Sequence, residues 1–492
     1  MKYISTRGQA AAVCAADAII KGIAEDGGLY VPESIPAWFP QDIAAMSYAE
    51  MAKKIFALYL TDFAQEEIDH IVDEAYAVKN FPDGPVGVTF LDDTEVLELW
   101  HGPTSAFKDM ALQVLPYLLV ASLRKSGGDK EIVILVATSG DTGKAALEGF
   151  SDVPHTRIIV FYPKDGVSPI QELQMNTTVG ANTRVIGVKG NFDDCQNGVK
   201  DIFGDRRLAA DMAAKGLYFS SANSINWGRL LPQIVYYFYG YAAMVKEGRI
   251  RQGEPIDISV PTGNFGDILA GWYAMRMGLP VRRFICASNK NKVLTDALED
   301  GYYDRERPFY KTSSPSMDIL ISSNFERYIF DISGNDSKLT AELFHQLKED
   351  GHFTIPDGLR NSDAAPMRGG YAEEEQCLAA IRDVFAAYHY VLDPHSAVGY
   401  EVASRLRRDE QGRPPLLPVS TASPYKFPEA VLGALGELPQ DADEMALPGI
   451  LAQVSGTAVP PNLAELASLP VKHDTVCAKE EMEAVIRKDM GL

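Results

Sequence analysis

The sequence predicts an α/β protein whose parallel sheets are covered by helices on both faces. Three observations lead there. Short apolar runs recur along the chain, among them EIVILVA (131–137), RIIVFYP (157–163), IDISVP (256–261) and VRRFICAS (281–288); their length and branched residues mark strands buried on both faces. Two of these runs pass straight into a glycine-containing turn and a helical pattern, ATSGDTGKAALEGF and PTGNFGDILAGWYAMRMG, the order that a parallel strand–helix unit requires. The 492 residues are 46% hydrophobic and include 21 Phe and 22 Tyr, which is enough apolar material for roughly two to four domains and too much for a disordered chain.

The elements follow in order. Residues 47–60 place Met51, Ile55 and Leu58 at helical spacing, with Ser47 and Glu50 in a capping-box pattern. Residues 64–77 repeat this with Ile68, Ile71, Val72 and Ala75. The first ninety residues therefore read as mostly helical, and FPDGP (81–85) reads as a turn and a boundary. Residues 96–99 form a short strand. Residues 107–125 form an amphipathic helix kinked at Pro116 and stopped by Gly127 and Gly128. VSPIQELQMNTT is a helix and TRVIGVKG a strand. Residues 301–318 and 361–370 read as loops, 417–422 as a buried strand followed by a turn and a helix, and 479–488 as a final charged helix.

Composition excludes several functions. Acids outnumber bases by 67 to 46, for a formal charge of −21, so neither nucleic acid nor an anionic membrane surface is an expected partner. The five cysteines, Cys14, Cys195, Cys286, Cys377 and Cys477, form no CxxC pair; this argues against a disulfide framework or thiolate zinc and for a reducing, cytoplasmic setting. MKYISTRGQA has no apolar run behind it, so no secretory signal is expected. The longest apolar stretch, 112–123, is about 12 residues against the ~20 needed to span a bilayer. The histidines show no HExxH spacing, so no catalytic metal is expected.

Five segments set reactive or anion-binding groups at element ends. In HGPTSAFKD (101–109) a glycine and a proline precede Lys108 near a helix start. Most lysines are solvated surface charges, but the positive end of a helix dipole disfavours an ammonium, and a neutral lysine can form a Schiff base with an aldehyde. TSGDTG (138–143) brings backbone N–H groups and three hydroxyls to a helix start, which suits a carboxylate or phosphate. PTGNFGD (261–267) has the same context but neither the Walker lysine nor GxGxxG, so nucleotide hydrolysis and nicotinamide binding are not indicated. SANSINWGR (221–229) sets Ser224 and Asn226 near Arg229, which could clamp a second phosphate or a carboxylate. STASPYKF (420–427) offers a hydroxyl after a strand. Singly, each is equally well read as a capped turn. Two anion-suited loops with one candidate Schiff-base lysine together point to a phosphorylated aldehyde cofactor, pyridoxal phosphate.

In this order HGPTSAFKD, ATSGDTG, SANSINWGR, PTGNFGD, LDPHSAVGY and STASPYKFPEA resemble the threonine synthases of the longer bacterial and fungal type, and GIAEDGGLYVPESIP near the N-terminus does too. The resemblance covers most of the chain. It implies a fold-type II pyridoxal-phosphate enzyme, similar to the tryptophan synthase β chain, with the site between two α/β domains. The implied division is an N-terminal domain at 1–90, a large cofactor-binding domain at 91–130 and 255–450, a small α/β domain at 131–254, and a covering segment at 451–492. Residue by residue, it implies that Lys108 holds the cofactor covalently and later moves protons. Gly263, Asn264, Phe265, Gly266 and Asp267 would cradle the cofactor phosphate, and Thr421 would meet the pyridine nitrogen. Ser139 and Thr142 would meet the substrate carboxylate. Asp141, where relatives outside this branch carry Asn, would face the ring oxygen or a backbone N–H. Ser224, Asn226 and Arg229 would bind the substrate phosphate.

The activity implied is conversion of O-phospho-L-homoserine and water to L-threonine and phosphate, by γ-elimination and β-addition of water, the last step of threonine biosynthesis. The competing readings are a phospholyase releasing 2-oxobutyrate from the same substrate, a serine or threonine dehydratase, against which Arg229 argues, and a non-catalytic homologue. Monomer and homodimer both stay open.

Overall fold

The computed structural model describes every residue except 128–129, 139, 361–365 and 442. Of the positions singled out above, Gly128, Ser139 and the first half of the expected 361–370 loop lie outside the described residues.

Two sheets organise the chain. The larger has six strands in the order Met367–Tyr371, Val281–Ser288, Ile256–Pro261, Leu416–Ser420, Thr94–Glu98 and Gly87–Leu91. Neighbours run parallel except the last two, which form an antiparallel hairpin. The smaller has five parallel strands, Thr475–Ala478, Thr183–Lys189, Thr156–Pro163, Glu131–Ala137 and Leu217–Ser220. Ile256–Pro261 and Leu416–Ser420 are buried at every position, and apart from Asp257, Ser259 and Ser420 they are apolar, as strands covered on both faces are. Parallel strands share a direction. The loops after Thr94–Glu98, Ile256–Pro261 and Leu416–Ser420 therefore leave one edge of the larger sheet together, and those after Glu131–Ala137 and Leu217–Ser220 leave one edge of the smaller.

The segment bearing Lys108 is fastened to the neighbouring strand end. Leu99 N–H donates to the Ser420 carbonyl at 3.0 Å and Phe107 N–H to the Thr421 carbonyl at 2.8 Å, and Ala106 bridges Ala422.

Several elements differ from the sequence reading. The expected helix 107–125 is two, Asp109–Leu112 and Leu115–Lys125; Pro116 lies in the first turn of the second, where its missing N–H breaks no helical bond. Strand Gly87–Leu91 crosses the boundary expected at residue 90, because it pairs with Thr94–Glu98. Helix Trp227–Lys246 falls within the expected small domain but is buried nearly all round, as a helix apolar on every face must be. A methyl group on its Gly240 would lie 3.0 Å from Leu97 and 3.1 Å from Leu417, both on the larger sheet. The helix also packs on Tyr48–Tyr59 and Gly266–Met277. Residues 302–304, expected as loop, pair with His352–Thr354, and 367–370 belong to an edge strand.

The C-terminal segment is more than a cover. Asn462 reaches the lysine loop, accepting from Ser105 Oγ at 3.1 Å and donating to the Pro103 carbonyl at 2.9 Å. Strand Thr475–Ala478 then extends the smaller sheet beyond Thr183–Lys189. Among the described residues no helix is long and apolar enough to cross a membrane.

Candidate active site

Lys108 is presented by a short, tightly bonded turn. Thr104 donates its N–H and its hydroxyl to the two oxygens of Asp109, at 2.8 and 2.7 Å. Ser105 sits at φ 58°, a backbone region costly for any residue but glycine and one that concentrates at functional sites. Asp109 is fully buried, and burial pushes its carboxyl up to about 6 despite the Thr104 bonds. Lys108 is 8% exposed. Its Nζ lies 3.3 Å from Ser316 Oγ and 3.6 Å from Asp141 Oδ2. Burial lowers the proton affinity of the amine, and Lys426 and Arg229 lower it further against the pull of Asp141. A lowered proton affinity increases the share of neutral, nucleophilic amine.

Asp141 opens helix Asp141–Phe150. Gly140 before it has φ 138°, and any side chain there would overlap Gln171. Asp141 Oδ1 accepts from Lys426 Nζ at 2.7 Å and from Gln171 Nε2 at 3.1 Å. Burial alone would raise this carboxyl, but Lys426 and Lys108 hold it far below the usual carboxylate range. Thr142 is half-buried one position further on, its hydroxyl unbonded among the described residues.

In the loop after Ile256–Pro261, the side chains of Phe265 and Asp267 are turned to partners of their own, which leaves the cradling to the backbone. Phe265 adopts φ 62°, yet its ring points into the core, 5.2 Å from Phe325 and 5.3 Å from Tyr328. Its side chain is therefore unavailable to a cofactor, and only its N–H faces the helix start. Asp267 is likewise occupied: Oδ1 accepts from Tyr236 and Tyr237 at 2.5 and 2.7 Å, while Oδ2 is buried with no partner. Burial pushes this carboxyl up to about 6. Gly263 and Gly266 keep the loop open. A methyl group on Gly263 would come 2.6 Å from the Ser316 carbonyl oxygen, and one on Gly266 would meet only Asn324 and Ser224, at 3.6 and 3.7 Å. Ser224 is thereby placed beside the glycine loop. Asn264 is exposed, its carbonyl held by the backbone and side-chain N–H of Asn324.

Arg229 is 3% exposed. Nη1 donates to the Ala222 carbonyl at 2.8 Å, Nε has no partner, and no carboxylate pairs with it among the described residues. Burial lowers it to about 10. A buried guanidinium without a counter-ion is a receptor for an anion. Asn226 departs from its expected role as a substrate ligand. Its Oδ1 caps helix Trp227–Lys246 through Gly228 N–H, and both amide hydrogens go to the Ile19 and Ser221 carbonyls. It shapes the fold and has no donor left for a substrate. Thr421, 6% exposed, receives the Ser396 hydroxyl oxygen on its N–H, and its own hydroxyl makes no bond among the described residues.

These groups fit a phosphorylated aldehyde. A buried, proton-poor amine can bind the aldehyde. The Gly263–Gly266 turn at the start of a helix of 12 residues is a cradle that side chains would fill. Three family models match the chain: threonine synthase N terminus over residues 2–76, pyridoxal-phosphate dependent enzyme over 97–419, and threonine synthase C-terminal over 396–487. The threonine synthase of Pseudomonas aeruginosa is 40% identical over 488 residues, 96% of this chain and 98% of that protein.

The chain belongs to the threonine synthase family. The pyridoxal-phosphate-bound threonine synthase of Brucella melitensis matches it with a TM-score of 0.87 at 36% identity, over 100% of both chains. The threonine synthase of yeast matches with a TM-score of 0.88 at 31% identity, over 100% of this chain and 99% of that one. Threonine synthase-like 1 of Homo sapiens is 40% identical over 436 residues, 85% of this chain, and the chain spans 58% of that protein's length.

In this member of the threonine synthase family, several residues around Lys108 escaped the sequence reading. Ser316 donates its N–H to His395 Nε2 at 3.2 Å, and His395 Nδ1 faces Asp393 at 2.8 Å. Fully buried Arg327 ties Tyr30, Ile225 and Asn324 together. Lys426 lies in STASPYKFPEA, where a lysine between Tyr425 and Phe427 after a buried strand is the available signal.

Proposed function

We propose that this protein converts O-phospho-L-homoserine and water to L-threonine and phosphate. The observation that carries the reading is Arg229, a buried guanidinium without a carboxylate, close enough to Lys108 to depress its proton affinity. A dehydratase acting on an unphosphorylated amino acid has no use for it.

Pyridoxal phosphate, when bound through Lys108, supplies an electron sink for negative charge at the substrate's α-carbon. The chain's own groups do the rest. Backbone N–H groups of 263–267 would hold the cofactor phosphate, and the Thr421 hydroxyl would hold the ring nitrogen. Thr142, with Ser139, takes the substrate carboxylate. Ser224 and Arg229 take the substrate phosphate and hold it as it leaves. Lys108 Nζ removes the α-proton and returns one at the end, with Ser316 Oγ in hydrogen-bond reach of the same nitrogen. All five cysteines are free, which supports a reducing compartment such as the cytoplasm for this biosynthetic step.

The test is product analysis of the cofactor-loaded protein with O-phospho-L-homoserine, with Lys108→Ala beside it. Threonine and phosphate in equal amounts, absent from the variant, are expected. Phosphate with 2-oxobutyrate would replace the proposal with the phospholyase reading.

A further inference from the structure

We propose that Lys426 is a positioning residue for Lys108: it takes Asp141 as its own partner, so that the reactive amine stands beside a carboxylate already claimed. Three facts carry this. The Lys426 side chain is wholly buried, and its Nζ is 2.7 Å from Asp141 Oδ1, whereas Lys108 Nζ is 3.6 Å from Oδ2, beyond hydrogen-bond length. Lys426 is anchored on its other side by the Thr104 carbonyl at 3.0 Å, and Thr104 itself clamps the Lys108 turn through Asp109. Gln171 donates to the same Asp141 oxygen, which leaves that side of the carboxylate saturated.

The arrangement solves a problem that an acid at position 141 creates. A lone buried carboxylate within 4 Å of Lys108 would claim the amine as its counter-ion and keep it protonated. A lone buried carboxylate would also repel an anionic ligand. Pairing Asp141 with a second lysine balances the charge at position 141 and sets a second basic side chain near Lys108. The charged and titratable groups facing Lys108 are Asp141, Lys426, Arg229 and Asp267, with His395 bonded to Ser316. Asp141 is the strongest charge acting to protonate Lys108, and Lys426 the next strongest, acting the other way.

The inference rests on Lys108 as the reactive amine but not on the identity of the substrate, so its test avoids turnover. The full-length chain freed of cofactor is pulse-labelled with an amine-acylating reagent across a pH series, and modification of the Lys108 peptide is quantified by mass spectrometry. Lys426→Met is expected to raise the labelling midpoint by about one to three units, a fall of about tenfold or more in labelling at a fixed pH below it. Asp141→Asn should lower the midpoint below that of the unmodified chain, and the double variant should fall between these two. A folded Lys426→Met protein, judged by circular dichroism, with an unshifted midpoint overturns the proposal. Should that variant not fold, Lys426→Gln takes its place, and an unshifted midpoint in the folded Lys426→Gln protein overturns the proposal. Failure of the product assay with this order intact would revise the substrate and leave the Lys426 role standing.

Discussion

Arg229 is the residue whose surroundings speak most directly to specificity. Its Nε has no partner and burial lowers its proton affinity, so the folded chain carries the strain of an uncompensated charge until an anion arrives. Removing one partner of a buried charge pair costs about 2–5 kcal/mol. Arg229→Ala should therefore lower kcat/KM for O-phospho-L-homoserine by about 100-fold or more, measured by phosphate release; a loss under about threefold would show that the phosphate is held elsewhere. Asp267 makes a different prediction. Its carboxyl is raised to about 6 when folded, so the folded chain binds the proton more tightly than the unfolded one. Its contribution to stability is complete below the ordinary carboxylate range and is lost as pH rises through about 6, by about 3 kcal/mol. Asp267→Asn should flatten the thermal midpoint between about pH 4 and 6, followed by calorimetry; an unaltered slope would assign the pH dependence to Asp109. Lys108 was legible in the sequence because glycine and proline before it marked a turn. The partners of Asp141 and Asp267 were not, because Lys426 and Tyr236 meet them only after distant strands and helices pack.

Helix Asp141–Phe150 lies against helix Asp109–Leu112, which follows directly on Lys108, at Gly149, where an added methyl group would overlap the Leu112 carbonyl oxygen. Replacing a helical glycine with alanine normally gains about 1 kcal/mol in propensity. Here the obstacle is backbone and cannot rotate away, and overpacking costs about 1–3 kcal/mol. Gly149→Ala should lower stability in denaturant titration and, by pushing the helix outward, move Asp141 from Lys108; a stabilised variant would mean the two helices separate freely. At this scale the buried strands were readable, since covering both faces forces continuous apolar runs. Helix Trp227–Lys246 was harder to assign. It is apolar on every side, so its sequence has no preferred face to name a partner, and only packing shows that it lies between the N-terminal helices and the larger sheet.

Across the whole molecule, the C-terminal segment joins what the two sheets separate. Asn462 holds the lysine turn, Lys472 and His473 donate their N–H groups to the Asn176 carbonyl, and Thr475–Ala478 completes the smaller sheet. A chain stopped before residue 470 should lose that strand and uncover the edge at Thr183–Lys189, where Val185, Ile186 and Val188 are buried. Aggregation in size-exclusion chromatography with light scattering is the expected outcome; a monodisperse, cofactor-binding product would show that the segment is dispensable. Its role was not legible because its prolines and short, weakly apolar strand look like a tail, and a strand added at an edge needs little hydrophobicity of its own.

The position of that strand in the chain bears on how the protein is made. Thr183–Lys189 leaves the ribosome about 290 residues ahead of Thr475–Ala478, some 15–60 s at about 5–20 residues per second. Through that interval the nascent smaller sheet has an unpaired edge, and the turn bearing Lys108 lacks its Asn462 clasp. Slower translation over this stretch lengthens the time for which that edge stands open.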